Sequence, residues 1–376
     1  MKRILPGAFL LPLFMAAAAL GQQFPDMGPT SVYHIELAAV PDGGLVLVWT
    51  QYSDGGVDLF AARSMGDTFS PPVRVNRAPG SLNTIPIDEM RPSVAVGPGG
   101  RVAIAWTDAD FDVHAAISTD GGRSFGAPLR LNQDTGDALQ EFPDLAFDAG
   151  GVLHAVWNDP RIAEGFEEPA DLYYARIENG RVAERNLTAN QEASVCGCCL
   201  PHIRTEANLG LTITFRNTTD DGYRDPFRIT AGPDGRFSEP RRVSPPIWEI
   251  DACPIAGPIG IGDMTLWLDG STGVRRLLSA WDPSRMPDVV LTDGAMWSLR
   301  YPPRLISASD SDTPLLLVPG RPASYVLGVR GHSWRVVEHD LPGWATSAAI
   351  RDGRLLIVGV SPEGSFQHET REFDID

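Results

Sequence analysis

Lysine is almost absent from this chain of 376 residues. Lys2 is its only lysine, which excludes a lysine nucleophile or Schiff base everywhere else in the sequence. Acidic residues outnumber basic ones, so the formal net charge at pH 7 is -17. Because nucleic acids and anionic membrane surfaces attract basic proteins, we expect neither of them as a partner.

Apolar runs long enough to span a membrane are also missing after the N-terminal segment, so we expect no membrane span. The chain starts with Lys2 and Arg3, continues with a short apolar run, and has small residues up to Gly21. This pattern is typical of a secretory signal peptide. We therefore expect residues 1–21 to be a signal peptide and residues 22–376 to be a single domain exported to the bacterial periplasm or the extracellular space.

Helical patterning is the third absence. No long stretch after residue 30 shows the 3.6-residue period of an amphipathic helix. Short runs of strand-forming residues alternate instead with turn residues, and the stretch 92–132 contains four such runs. Residues 97–100 (G-P-G-G) reverse the chain between the first two runs, because glycine permits positive φ and proline presets its own φ. The sequence therefore predicts an all-β protein.

The four-strand unit recurs along the chain, and each copy carries an aromatic anchor. The anchors are 57, 51, 58 and 52 residues apart: Trp49, Trp106, Trp157, Phe215 and Trp267. A four-stranded unit that repeats about every 50 residues is typical of a β-propeller blade, which buries its faces against its neighbours. Seven inner hairpins predict seven four-stranded blades, with six as the alternative. We expect the segment 22–30 to add an outer strand to the last blade and so close the ring.

One turn of the repeat identifies a related family. The stretch from Ser118 to Phe125 reads S-T-D-G-G-R-S-F and resembles the Asp box of the sialidase-like (BNR-repeat) β-propellers. Degenerate copies end at Phe69 and Phe237. The resemblance implies that Asp120 accepts hydrogen bonds from turn amides and that the aromatic ring of Phe125 plugs the blade. Such a turn stabilises the fold and is not catalytic.

Ionisable groups that flank the predicted innermost strands would lie at the mouth of the central channel. Sialidases carry an R-I-P motif and bind the sugar carboxylate with arginines, and the nearest analogue of that motif starts at Arg91. Arg91 and Arg204 are candidates for binding an anion, because arginine suits carboxylate recognition. Glu141 and Asp251 are candidates for the acid and base of glycoside cleavage. The alternative is that these groups form salt bridges between blades.

The four cysteines lie in two places that the repeat makes equivalent. Cys196, Cys198 and Cys199 precede the innermost strand of the fourth blade, and Cys253 precedes that of the fifth. Because these connections lie beside the channel on one face, we expect the four sulfur atoms to be close together. Disulfides are expected in an exported protein. The alternatives are a copper or zinc site with His202 as a further ligand, or redox-active thiols.

Two functions are compatible with these features. The first is an exported, monomeric binding or scaffold propeller that takes a glycan or protein ligand on one face, with the cysteine cluster as a disulfide or soft-metal site. The alternative is an exo-sialidase-like glycoside hydrolase that acts on acidic glycans. The missing arginine motif near the mature N-terminus favours the binding protein.

Overall fold

The structure, a computed structural model, describes most of the chain between residues 23 and 373. Within that span it leaves out residues 26, 28–31, 54, 85–89, 135, 137, 162–169, 190–193, 207–209, 220, 233, 252–255, 295–297, 300–302 and 309–313. The expected signal peptide (1–21) and Cys253 therefore lie outside the described residues. Among the residues that are described, no helix is both long and apolar enough to cross a membrane.

The first four blades are antiparallel sheets. Blade one contains β1 (Val32–Ala39), β2 (Leu45–Ser53), β3 (Gly56–Met65), β4 (Thr68–Phe69) and β5 (Val73–Arg74). Blade two contains β6 (Ser93–Gly97), β7 (Arg101–Thr107), β8 (Val113–Ser118) and β9 (Leu129–Arg130). Blade three contains β10 (Glu141–Phe147), β11 (Leu153–Asp159), β12 (Asp171–Glu178) and β13 (Arg181–Asn186). Blade four contains β14 (Ser194–Val195), β15 (His202–Glu206), β16 (Gly210–Thr218), β17 (Pro226–Ala231) and β18 (Arg241–Arg242).

The last three blades complete the ring. Blade five contains β19 (Ile259–Ile261), β20 (Met264–Asp269), β21 (Arg276–Ala280) and β22 (Asp288–Thr292). A short pair, β23 (Ser298–Leu299) and β27 (Gly320–Arg321), lies outside the blades. Blade six contains β24 (Arg304–Leu305), β26 (Leu315–Val318), β28 (Ala323–Arg330) and β29 (Ser333–Pro342). Blade seven contains β25 (Ser307–Ala308), β30 (Ala345–Arg351), β31 (Arg354–Val360) and β32 (Phe366–Glu372). The prediction of seven blades is confirmed.

The aromatic anchors of the repeat lie in the hydrophobic core. Each is at most 3% exposed: Trp49, Trp106, Trp157, Phe215 and Trp267. The clusters of buried residues cross from blade to blade, so that Val46 and Val48 of blade one pack with Val102 and Ile104 of blade two. Burial of each such aliphatic side chain contributes about 1.5–3 kcal/mol. Face-to-face packing of blades is therefore what the repeated anchors stabilise.

The described residues of the N-terminal segment lie beside blade one. Gln23 pairs with Thr68 of blade one, and among the described residues of the segment 22–30 none pairs with a strand of the last blade. The neighbouring ring of Phe24 stacks on Phe69 of blade one and contacts Phe366 of blade seven, at centroid distances of 5.2 and 5.4 Å. Side chains therefore connect the first and last blades here, and the outermost strand of blade seven, β32, comes from the C-terminal end of the chain.

The Asp120 turn has the hydrogen bonds that its sequence predicted. The Asp120 carboxylate accepts the backbone N–H groups of Arg123 and Ser124 at 3.0 and 2.9 Å and the hydroxyl of Ser118 at 2.7 Å. Burial by itself would raise the pKa of Asp120, but the hydrogen bond from the Ser124 hydroxyl, at 2.5 Å, and the bonds above outweigh it and lower the pKa to about 2. The ring of Phe125 packs against the core shared by blades one and two. The turn therefore stabilises blade two through its own hydrogen bonds and through the packing of Phe125.

Candidate functional site

The innermost strands β1, β6, β10 and β15 all begin on the same face of the ring, which we call the upper face. Arg91 lies there, just before β6, and its Nε is 3.2 Å from Glu36 Oε1 of blade one. The same oxygen is 2.9 Å from Arg304 Nη1 of blade six, and the hydroxyl of Ser347 in blade seven donates to Glu36 Oε2 at 3.0 Å. Arg91 thus belongs to an ion-pair network that joins four blades.

Arg204 is also ion-paired. Its Nε lies 3.0 Å from Glu206 Oε1 in the same strand, and that oxygen accepts the backbone N–H of Gly262 in blade five at 3.0 Å. Asp144 makes a similar connection, because it accepts the hydroxyl of Ser93 in blade two at 2.7 Å and the N–H of Ile203 in blade four at 2.9 Å. The sequence left open whether these groups bind an anion or connect neighbouring blades. The distances show that they connect neighbouring blades.

The two candidate carboxyl groups for glycoside cleavage have different environments. Asp251 is exposed. Glu141 is half-buried at the start of β10, and burial raises its pKa to about 7. Within the described part of the chain, no hydrogen bond or ion pair reaches the Glu141 carboxyl group. The next residue, Phe142, has a φ of 59°, which is rare for a residue with a side chain. Glu141 is therefore a carboxyl group at an irregular strand end that has no partner among the described residues.

The cysteine loop brings three sulfur atoms together. Cys196 Sγ lies 3.4 Å from Cys199 Sγ and 3.6 Å from Cys198 Sγ. Cys196 and Cys199 are buried, reduced thiols, whereas Cys198 is half-buried and disulfide-bonded. The group of potential metal ligands around these three sulfurs does not include His202, whose Nδ1 accepts the N–H of Gly260 at 3.4 Å.

Asn158 in blade three holds the cysteine loop in place. This side chain is 1% exposed, and its amide group donates to the carbonyl oxygens of Cys196, Gly197 and Cys199 at 3.3, 3.1 and 2.9 Å. Three bonds from one rigid side chain fix the loop backbone, and with it the directions of the cysteine side chains. Sequence reasoning missed Asn158, because nothing in the pattern W-N-D indicates a contact with a loop about 40 residues away.

Positive charge surrounds the two buried thiols. Arg224 Nη1 lies 3.4 Å from Cys196 Sγ, and the backbone N–H of Ala256 donates to Cys199 Sγ at 3.4 Å. Burial by itself raises the pKa of Cys199, but the hydrogen bond with Cys196 and the charge of Arg216 outweigh it and lower the pKa to about 7. The site is therefore built to stabilise an anionic sulfur.

Polar and aromatic side chains of blade three contact one another. The Arg161 guanidinium contacts the Asp159 carboxylate at 2.5 Å and lies over the Tyr173 ring at 4.0 Å. His154 Nδ1 is 2.7 Å from the Tyr174 hydroxyl oxygen inside the core. These contacts stabilise blade three.

A second feature of the upper face was not predicted. A narrow pocket between blades one and two is lined by aromatic rings of Tyr33, Tyr52 and Trp106, and by the polar side chains of His34 and Thr107. Thr107 is 5% exposed, and no group among the described residues forms a hydrogen bond with its hydroxyl. The pocket admits about one water-sized group. Only Trp106 had a sequence signal, as a repeat anchor.

Solved structures similar to this chain are propellers of several kinds. A lectin from Burkholderia pseudomallei, BP39L, matches with a TM-score of 0.60 and 10% identity over 91% of this chain and 96% of the lectin. The propeller domain of the trilobed protease from Pyrococcus furiosus matches with a TM-score of 0.51 and 8% identity, over 92% and 96% of the two chains. The α-L-arabinofuranosidase Arb93A from Fusarium graminearum matches with a TM-score of 0.50 and 13% identity, over 90% and 92%.

The chain is a β-propeller. At these identities the similarity establishes the fold alone, since one fold carries many activities. No protein-family model matches the sequence, and no curated protein matches it.

Proposed function

We propose that this protein is an exported propeller that binds a glycan on its upper face, at the pocket between blades one and two. The observation that carries the proposal is the buried hydroxyl of Thr107, which has no partner among the described residues and lines a pocket with aromatic walls. An unsatisfied buried hydroxyl costs about 1–3 kcal/mol. A sugar hydroxyl that enters the pocket would satisfy it.

The walls of the pocket suit the apolar face of a sugar ring. Tyr33 is 38% exposed, and its ring lies 4.4 Å from that of Tyr52 in a tilted arrangement. Aromatic side chains combine an apolar surface with a polar edge at a small cost in conformational entropy, which suits ligands that are partly apolar and partly polar. The pocket is too narrow for a whole sugar ring, so the ring would lie on Tyr33 and insert one hydroxyl toward Thr107.

The ionisable groups favour binding over hydrolysis. Arg91 and Arg204 are both ion-paired with glutamates of the protein, so neither presents an open bidentate clamp. Glycoside hydrolysis needs two carboxyl groups with distinct roles on either side of the scissile bond. Glu141 has the environment of a general acid, whereas Asp251 is exposed to solvent.

Export and family membership belong to the same proposal. The basic start and apolar run of residues 1–21 support export to the periplasm or the extracellular space, and the acidic net charge of -17 suits a well-solvated protein. The hydrogen bonds of the Asp120 turn support a place among the sialidase-like, Asp-box propellers.

A glycan microarray of neutral and acidic oligosaccharides, probed with the purified mature protein, tests the proposal. We expect retained glycans to bind roughly tenfold more weakly to Tyr33→Ala, because an aromatic contact contributes about 0.5–1.5 kcal/mol. Trp281→Ala is the matched control, since Trp281 is exposed to a similar degree (36%) on blade five. Failure of the wild-type protein to retain any glycan, or an equal loss in the control variant, would overturn the proposal. Capture of a protein ligand in place of a glycan would also contradict it.

The unpartnered Glu141 favours a second candidate function, a glycoside hydrolase that acts on acidic glycans. A carboxyl group with a pKa of about 7 can donate a proton to a leaving group near neutral pH. Incubation of the protein with a fluorogenic sialoside and with acidic oligosaccharides tests this candidate. Turnover that is lost in Glu141→Gln supports it, and the absence of turnover in the wild-type protein excludes it for those substrates.

A further inference from the structure

We propose that the pocket between blades one and two selects neutral sugars with a free hydroxyl group, and rejects both acidic sugars and sugars substituted at that hydroxyl. This selectivity rests on the proposed function, because it concerns the same pocket and names the class of glycan that the pocket accepts. Three properties of the pocket lead to it: the charge of its lining, the hydrogen bonds of its polar groups, and its width.

The first property is the charge of the lining. Among the described residues that line the pocket there is no arginine, lysine, aspartate or glutamate, and the walls include the apolar side chains of Val57, Leu82 and Pro92. A carboxylate or sulfate group that entered would lose its hydration without gaining a charged partner, and burial of an unpaired charge is far more costly than burial of a hydroxyl. The lining therefore disfavours an acidic sugar.

His34 is a lining residue whose contacts are provided by the protein. Its Nδ1 lies 3.0 Å from Thr50 Oγ1, which also accepts the backbone N–H of His34 at 3.2 Å. Since the Thr50 oxygen accepts this N–H, its own proton can be donated to Nδ1, and a neutral imidazole suits this arrangement. His34 and Thr50 therefore form their hydrogen bonds without an anionic ligand.

The arginine next to the pocket in sequence is engaged by the protein. Met90 and Pro92 both line the pocket, and Arg91 lies between them in the chain without being a lining residue. Its Nε is 3.2 Å from Glu36 Oε1, and the same carboxylate pairs with Arg304 of blade six. Arginine is the partner that carboxylate recognition normally uses. A carboxylate on the ligand would therefore have to compete with Glu36 for this guanidinium.

A negative charge lies beside the pocket wall instead. Leu82 of the wall forms a β-bridge with Asp108, the residue that follows Thr107. The Asp108 carboxylate is 2.8 Å from His114 Nε2 and accepts the backbone N–H of Asp112 at 2.9 Å, so it is fixed in this loop. Together with the formal net charge of -17, it repels an anionic ligand and leaves a neutral one unaffected.

The second property is the hydroxyl of Thr107, which requires a ligand that forms hydrogen bonds. This side chain is 5% exposed, and among the described residues no group bonds to its Oγ1. The hydroxyl of Tyr52, in contrast, donates to the carbonyl oxygen of Thr84. A sugar hydroxyl can both donate to Thr107 and accept from it, whereas a deoxy sugar would leave it unsatisfied. The pocket therefore favours a sugar that has a hydroxyl at the inserted position.

The third property is the width of the pocket. It admits about one water-sized group, which is the size of a hydroxyl but smaller than a methoxy, acetyl or sulfate group. Val57 of blade one and Trp106 of blade two are 2% and 3% exposed and belong to the core that joins these blades. Widening the pocket would separate such close-packed side chains and lose their contacts. Substitution of the inserted hydroxyl therefore prevents its entry.

A microarray that pairs each neutral oligosaccharide with acidic counterparts tests the selectivity for charge. The terminal sugar is unmodified in one member of each pair and is oxidised to the uronic acid or sulfated in the other. We expect the wild-type protein to bind the acidic members at least roughly tenfold more weakly than the neutral ones, a difference of about 1.4 kcal/mol. Equal or stronger retention of the acidic members would overturn the selectivity and leave glycan binding intact, whereas failure to retain any glycan would overturn both.

Deoxy and O-methyl derivatives of a retained glycan test the role of Thr107. The derivatives change one hydroxyl of the terminal sugar at a time, and isothermal titration measures their affinities. At one position, we expect the deoxy and the O-methyl derivative each to bind the wild type roughly tenfold more weakly than the parent glycan. In Thr107→Val, removal of the same sugar hydroxyl should have little further effect, because its partner is gone. O-methylation should still weaken binding, because the width is unchanged.

Thr212→Val is the matched control. Thr212 is 1% exposed in β16 of blade four, its hydroxyl also has no partner among the described residues, and it does not line the pocket. This variant should keep the preference of the wild type for the parent glycan over the deoxy derivative. Wild-type binding that is insensitive to every deoxy and O-methyl change, or a deoxy effect as large in Thr107→Val as in the wild type, would contradict the proposal. The array and the wild-type titrations decide the outcome even if a variant fails to fold.

Discussion

Glu36 and Arg304 are 268 positions apart in sequence, yet their side chains form an ion pair of 2.9 Å between blades one and six. Arg304 is 6% exposed, so the pair is largely removed from water. Arg91 contacts the same carboxylate from blade two. One glutamate of blade one is therefore ion-paired with arginines of blades two and six.

Glu36→Gln should lower the free energy of unfolding by about 2–3 kcal/mol. The substitution leaves two guanidinium groups beside a neutral amide, and loss of one partner of a largely buried pair is strongly destabilising. Urea denaturation followed by tryptophan fluorescence measures the change. Glu178→Gln is the control, because Glu178 pairs with Arg176 on the surface and such a pair contributes about 0–1 kcal/mol. Equal effects of the two substitutions would contradict the assigned role of Glu36.

Asp120→Ala should destabilise the protein by about 1–2 kcal/mol. The substitution leaves the turn amides of Arg123 and Ser124 without their carboxylate acceptor, and a hydrogen bond to a charged group contributes about 1.5–3 kcal/mol when it is not exposed to water. The turn is exposed, which reduces the effect. Thermal denaturation measures it, and Asp234→Ala in the degenerate turn of blade four should have a smaller effect.

The stability of the protein should fall between about pH 4.5 and pH 7 because of Glu141. The pKa of its carboxyl group is about 7 in the folded protein and 4.5 as its ordinary value. In this range the folded protein keeps the proton that the unfolded chain has lost, so folding becomes less favourable as the pH rises. Glu141→Gln should therefore be more stable than the wild type at pH 8 by about 1–2 kcal/mol, and the two should converge near pH 4. Urea midpoints at both pH values measure this, and no difference at pH 8 would show that Glu141 is well solvated.

Thr107→Val should separate ligand binding from stability. Valine has the shape of threonine without the hydroxyl, and that hydroxyl is buried without a partner among the described residues. We expect the free energy of unfolding to stay equal or to rise by up to about 1 kcal/mol, while affinity for a retained glycan falls. Isothermal titration and urea denaturation of the same preparation give both values. A variant with unchanged affinity would place the ligand outside this pocket.

Asn158→Asp should loosen the cysteine loop. The aspartate has the same shape, but its carboxylate cannot donate to the three carbonyl oxygens that the asparagine amide holds. We expect the reduced thiols of the folded protein to react with an aromatic disulfide reagent at least several times faster than in the wild type. Asn186→Asp, at a structural position of blade three, is the control. Equal rates in wild type and Asn158→Asp would show that other contacts hold the loop.

The sequence by itself determined the architecture. Anchors such as Trp106 and Trp157 recur with the period of a blade, and each is buried where two blades meet. The same short sequence pattern therefore predicts the same contact between blades in each repeat. The same logic predicted that the residues before Pro201 lie beside the innermost strand of blade four, where the cysteine loop is found. The Asp120 turn was also predictable, because all its hydrogen bonds connect residues within four positions of one another.

Only the tertiary structure decided which groups are paired and which are not. Glu36 and Arg304 meet because the ring closes, and Asn158 reaches the cysteine loop because blade three packs beside blade four. The pocket near Thr107 exists only between two blades, and the unpartnered state of Glu141 depends on what surrounds it. Such contacts join residues tens to hundreds of positions apart, and no local pattern records them. The propeller therefore follows from its repeats, whereas the chemistry of its upper face follows from the closed ring.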